Sequence, residues 1–227
     1  MSGRPCIPAA GCWLRRRVRV NLFYVFPTIN LKLYEPMARR FAQSYVDHPP
    51  GGAEHQLYVL VNGTKPARLD KIFDPLPCEA ITHDNSGKDL GAYFKAAHQI
   101  PGDLMICLGS PIRFRMAGWL DQILECYLAC GPGLYGSWGA QQPLPHIRTT
   151  GFFCPPELLL EYPYPVSNQT RYDCEHGPNS LTLWTQRMGL GTWQITWRGV
   201  FPMDRWHVPS NQDCLFLCQN SDRHGYQ

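Results

Sequence analysis

The chain has 227 residues, with 21 Lys and Arg against 18 Asp and Glu, for a formal charge of +3 at neutral pH. That length supports one sizeable core and excludes a peptide-like module. So small a positive excess gives no basis for bulk nucleic-acid binding, and no apolar run approaches the ~20 residues of a membrane-spanning helix.

Residues 1–16 contain two prolines, two cysteines and small residues without periodicity, and read as a loose extension. Their charge follows a weakly apolar stretch, the reverse of a secretory signal. The run Arg15-Arg16-Arg17, with Arg19, reads as a solvated lead-in to a strand. The ten cysteines form no C-x-x-C pair, so no zinc ribbon is expected. Several, such as Cys107, Cys214 and Cys218, sit in apolar runs and read as reduced core thiols of a cytoplasmic protein. Residues 17–227 read as a single domain with a loop-rich tail from 198.

Residues 17–26 begin in alternation and become continuously apolar, as in a strand buried on both faces. Tyr34, Met37, Ala38, Phe41 and Tyr45 then recur at helical spacing, with Pro36 expected in the first turn. Further apolar strands are predicted at 57–61, 78–82 and 103–108. Between the last two lies THDNSGKDLGAYFKAA, residues 82–97. Ser86 and Asp89 have the spacing of a capping box, and Leu90, Phe94 and Ala97 mark one face of the helix. Gly87 and Gly91 are expected to let the backbone approach a ligand, and such a helix start favours an anion.

This alternation is that of a parallel α/β sheet whose strand-end loops share one edge. Residues 28–30, 62–63, 84–89 and 109–111 are therefore expected to line one crevice. A helix from 118 ends at Gly131-Pro132. Short strands at 134–138 and 149–154 announce a mixed extension of the sheet. A helix over 178–188, a strand over 192–197 with three large residues on one face, and an irregular tail complete the pattern.

Four features carry a family resemblance. They are Asn85, Gly87, Asp89 and Gly91 before a helix; DLMICLGSP leading into GWLDQILECYLA; HIRTTGFF at 146–153; and Glu175-His176 before a late helix. Over about residues 18–197 the chain resembles a GT-A-fold glycosyltransferase of the family-2-like kind, similar to the rhamnan-synthesis glycosyltransferases. The resemblance implies a sugar-nucleotide donor held at Asn30, Asn62, Asp84, Asn85, Gly87, Asp89 and Gly91, and a glycan or glycan-precursor acceptor. Glu175 matches the carboxylate that would accept the acceptor's proton; it reads equally as a helix-entry acid without chemistry. His146 and Trp206 fall on the acceptor side, with Trp206 as a lid.

The family also implies Mn²⁺ or Mg²⁺, yet Cys107-Leu108-Gly109-Ser110 stands where its acidic motif belongs. No metal site is assigned on that basis. Phosphate would then be neutralised by amides and Lys88 or Arg113, or a cation held through Asp84 or a histidine, or activity has been lost. The alternative to a transferase is thus a silent sugar-nucleotide- or glycan-binding protein on the same fold. The chain carries no G-x-S-x-G elbow, P-loop or G-x-G-x-x-G turn after its first strand.

Overall fold

A computed structural model describes residues 18–218. The first half alternates strand and helix: β1 (Val20–Pro27), α1 (Leu31–Asp47), β2 (His55–Asn62), α2 (Leu69–Phe73), β3 (Cys78–His83), α3 (Lys88–Gln99) and β4 (Leu104–Leu108). There follow β5 (Arg113–Phe114), α4 (Trp119–Cys130), β6 (Gly133–Gly136), β7 (Gly139–Ala140), β8 (His146–Ile147), β9 (Gly151–Cys154) and α5 (Pro156–Leu160). The last part holds α6 (Arg171–His176), α7 (Leu181–Arg187), β10 (Gly191–Thr196), β11 (Gly199–Pro202) and β12 (Phe216–Leu217).

Eight strands form one sheet in the order β11-β10-β6-β9-β4-β1-β2-β3. β1 pairs in parallel with both β2 and β4, and β2 with β3. β9 enters antiparallel between β4 and β6, which is the expected mixed extension. The sheet lies between two apolar layers. On one face Phe41 of α1 and Trp119 of α4 pack with Phe114 and Phe216. On the other, Tyr93 of α3 meets Phe152 of β9 edge to face, beside Leu158 of α5. Every residue of β4 is buried, so its unbroken LMICL run has two apolar layers to satisfy.

Several boundaries differ from expectation for local reasons. α1 starts at Leu31 because the Asn30 side chain caps it, accepting from Leu33 N–H at 3.3 Å. Pro36 therefore lies inside the helix, where the carbonyl four residues earlier belongs to solvent-exposed Lys32. The late helix starts after Ser180, whose hydroxyl caps it, rather than at Pro178. β11 falls in the tail expected to be loop-rich, and α6 lies in a stretch for which no element was expected. β10 spans Gly191–Thr196 and carries Trp193 and Ile195 on one face, with Trp197 just beyond it packed against the same core layer. Trp193 and Trp197 are only partly covered, while Thr192, Gln194 and Thr196 are buried on the other face.

The cysteines of the described residues are free thiols, most of them buried. Burial pushes the Cys126 and Cys214 thiols up to about 12, so both pack as small apolar groups. No helix among the described residues is long and apolar enough to cross a membrane. The loose extension expected at 1–16 lies outside them.

Candidate functional site

A cleft of about 620 Å³ opens at the C-terminal ends of the parallel strands. Each of the four expected loops reaches it: Ile29 after β1, Asn62 ending β2, Asn85, Lys88 and Asp89 after β3, and Ser110 after β4. The Ser110 loop is pinned from below. Tyr24 Oη donates to its carbonyl at 3.0 Å, and Ser110 Oγ donates to the Val25 carbonyl at 3.1 Å. Arg148, Thr150 and Arg171 close the far wall.

His83, a residue that sequence reasoning passed over, organises the floor. It is buried at the end of β3, and its Nδ1 accepts the Asn85 backbone N–H at 3.1 Å. The Asn62 side-chain oxygen lies 3.1 Å from the same nitrogen, while the Asn62 amide nitrogen is buried without a partner. A neutral His83 offers Nδ1 one lone pair, so the amide gains by turning its NH₂ toward the ring. Either orientation leaves one polar atom of this buried amide unpaired. Burial lowers the His83 pKa, with Asp84 opposing, which favours the neutral ring that this arrangement needs.

The polar turn behaves differently from the expected capping box. α3 starts after Gly87, and no side chain caps it. Ser86 instead gives both its N–H and its hydroxyl to Asp84, at 2.9 and 2.6 Å. Asp84 is thereby consumed in a solvent-facing turn, away from the cleft lining, and those bonds hold its pKa low. Gly87 sits at φ +67°, and a Cβ on Gly91 would meet the Ser86 carbonyl oxygen at 1.9 Å. Both glycines answer to the fold of the turn itself rather than to the close approach of a ligand. Asn30 is likewise occupied as the α1 cap, beside Ile29 on the wall.

Asp89 does face the cleft, its carboxylate 3.8 Å from Arg171 Nη1. Burial raises its pKa, Arg171 opposes, and the charge of Glu175 adds to the rise. Glu175 stands behind that wall, in the last turn of α6, so no helix start follows it to stabilise its charge. Its Oε1 accepts the Thr149 N–H at 3.0 Å and its Oε2 lies 3.4 Å from His176 Nε2. His146, on β8, is buried with its Nε2 3.0 Å from His176 Nδ1. Trp206 is no lid. It is buried, donates to the Phe201 carbonyl at 3.1 Å and fills the space over Gly139, where a Cβ would meet its ring at 2.3 Å.

The sequence matches no protein-family profile and no curated protein. Solved structures do resemble it. A mannosyltransferase from Pyrobaculum calidifontis, in complex with GDP-Man and Mn²⁺, superposes with a TM-score of 0.51 at 11% identity over 67% of this chain. This chain spans 49% of that protein. Mouse xyloside xylosyltransferase 1 gives 0.50 at 11% identity, covering 76% of this chain and 82% of its own. A Bacillus anthracis protein described as a putative glucose-1-phosphate thymidylyltransferase gives 0.52 at 8% identity, covering 75% and 84%. The fold is of the GT-A type.

A GT-A fold raises the question of the divalent ion, and the donor set answers it. The loop after β4 brings Gly109 and Ser110 to the cleft, and Asp89 is the carboxylate on its wall among the described residues. Lys88, Arg148 and Arg171 line the same space. A hard cation is held by several oxygen donors, commonly including carboxylates, and a wall with three cations to one carboxylate does not fit it. Arg148 lies within HIRTTGFF but was given no role there, and Arg171 sits in no recognisable motif; the fold brings them together from the loop after β8 and the start of α6.

Proposed function

We propose that this chain transfers a sugar from a sugar nucleotide to a hydroxyl of a glycan or glycan precursor, holding the diphosphate with side-chain cations. The carrying observation is the cationic wall at the strand ends. Lys88 and Arg148 have no ion-pair partner among the described residues, and Arg171 faces Asp89 at 3.8 Å. Guanidinium groups bind phosphate oxygens bidentately and need no reorganisation as charge develops on the leaving diphosphate. Asn62 lines the cleft beside them.

The proton-accepting role expected of Glu175 is better supported for Asp89. A base must reach the attacking hydroxyl, and Asp89 lines the cleft whereas Glu175 is spent on Thr149 and His176. Glu175 then acts through its charge, which helps keep the Asp89 pKa raised. The Asn85–Gly91 pattern supports a rhamnan-synthesis-like place in polysaccharide assembly, in the cytoplasm where sugar nucleotides serve as donors.

Nucleotide release from a panel of sugar nucleotides, without added Mn²⁺ or Mg²⁺ and with varied acceptors, tests this reading. Turnover should persist without metal and fall about 100-fold or more in Asp89→Asn, with a smaller loss in Glu175→Gln. Binding without turnover under every condition would favour the silent binding protein. Turnover strictly dependent on Mn²⁺ would refute the cationic wall.

A further inference from the structure

We propose that His146, Glu175 and His176 form a binding site for a borderline divalent transition metal of the Zn²⁺ class, tying β8 to α6 beside the cleft. Their ligand atoms lie within 4.8 Å of one another. Tetrahedral coordination at bond lengths of about 2.0–2.1 Å sets ligand atoms about 3.3 Å apart. The 3.0 Å between His146 Nε2 and His176 Nδ1 already matches that spacing, whereas the 3.4 Å contact of Glu175 is to the other ring nitrogen, so Glu175 must swing its carboxylate within the 4.8 Å cluster to join the same ion.

The hydrogen-bond pattern asks for a cation at this point. His146 Nδ1 lies 2.8 Å from the Leu144 carbonyl, which can only accept. Nδ1 therefore carries the proton, and Nε2 turns a lone pair toward His176. A neutral His176 that donates from Nδ1 to that lone pair turns a bare Nε2 to the Glu175 carboxylate, so both contacts are satisfied only with added positive charge, a second ring proton or a bound metal. A metal on His146 Nε2 and the His176 ring supplies that charge, with Glu175 completing or orienting the set. Outer contacts are in place: Leu144 fixes the His146 tautomer, and the Thr149 N–H holds the other Glu175 oxygen at 3.0 Å. His146 is buried, while the Glu175 and His176 side chains are 17% and 23% exposed, which leaves an open side for a water ligand.

The surrounding charge selects the class of ion. Arg148 and Arg171 both act on His176 and penalise ions held by charge alone, such as Mg²⁺ or Ca²⁺. Two imidazoles reward a borderline metal instead. Bound there, the ion would fix the spacing of Arg148 and Arg171, which lie two residues after His146 and five before His176. This metal claim stands without the transferase reading.

Metal-stripped full-length protein titrated with Co²⁺, followed by calorimetry and visible absorption, tests the site. One Co²⁺ per chain is expected, with d–d bands, no sulfur-to-metal charge transfer and displacement by Zn²⁺ but not by Mg²⁺. His176→Ala and Glu175→Gln, checked for native circular dichroism, should each weaken binding about 10-fold or more. No binding, binding unchanged in both variants, or a charge-transfer band assigning the ion to cysteine would each overturn the proposal.

Discussion

Arg171 Nη1 stands 3.8 Å from the Asp89 carboxylate, and the two come from helices that the sequence separates by more than seventy residues. The contact does not lower the Asp89 pKa overall, because burial outweighs it. A carboxyl whose folded pKa is raised contributes its stability below the unfolded pKa and loses it as pH rises through the folded value. Asp89→Asn should therefore have a higher Tm than wild type at pH 7, with the advantage shrinking as pH falls and gone below about pH 4. Thermal melts across that range, run beside activity, check this: stability gained together with turnover lost marks a group kept for chemistry. Equal melting curves at all pH values would contradict it.

Gly91 carries the turn into α3. Its missing Cβ would lie 1.9 Å from the Ser86 carbonyl oxygen, a backbone atom that cannot swing aside. Gly91→Ala should cost about 3 kcal/mol, at the upper end for overpacking. Gly87, at φ +67°, should cost about 1–2 kcal/mol for the same change, the price of a left-handed residue with a Cβ. Urea midpoints at constant m separate the two. A Gly87→Ala loss larger than that of Gly91→Ala would show that dihedral strain, not collision, governs the turn.

Trp206 distinguishes packing from lid. Trp206→Phe leaves the Phe201 carbonyl without its indole donor and opens space over Gly139. A stability loss of about 1–3 kcal/mol is expected, with sugar-nucleotide KM unchanged. A raised KM at unchanged stability would restore the lid.

The parallel half of the sheet was legible because β1 from Leu22, β2 from Leu57 and β4 throughout carry unbroken apolar runs that stop at Pro27, Asn62 and Gly109. Four loops could be assigned to one crevice from topology alone. What escaped reading was side-chain allegiance: Asp84 turns to Ser86, Asn30 to Leu33 and Trp206 to Phe201, all local bonds that leave no mark on periodicity. Nor could spacing reveal that Arg148 and Arg171 converge, or that His146 meets Glu175 and His176, since those meetings depend on how β8 and α6 pack. α6 itself is short, and its RYDCEH sequence has a single buried residue, too little for a helical stripe.

The cationic wall is tested most directly by calorimetric titration of nucleoside diphosphates into wild type, Arg148→Ala and Arg171→Ala without added Mn²⁺ or Mg²⁺. Wild type should bind at least one of UDP, GDP and dTDP, and each substitution should weaken that binding about tenfold or more, the loss of one charge-assisted phosphate contact. Binding that appears only with Mn²⁺, or that neither substitution changes, would contradict a diphosphate held by Arg148 and Arg171.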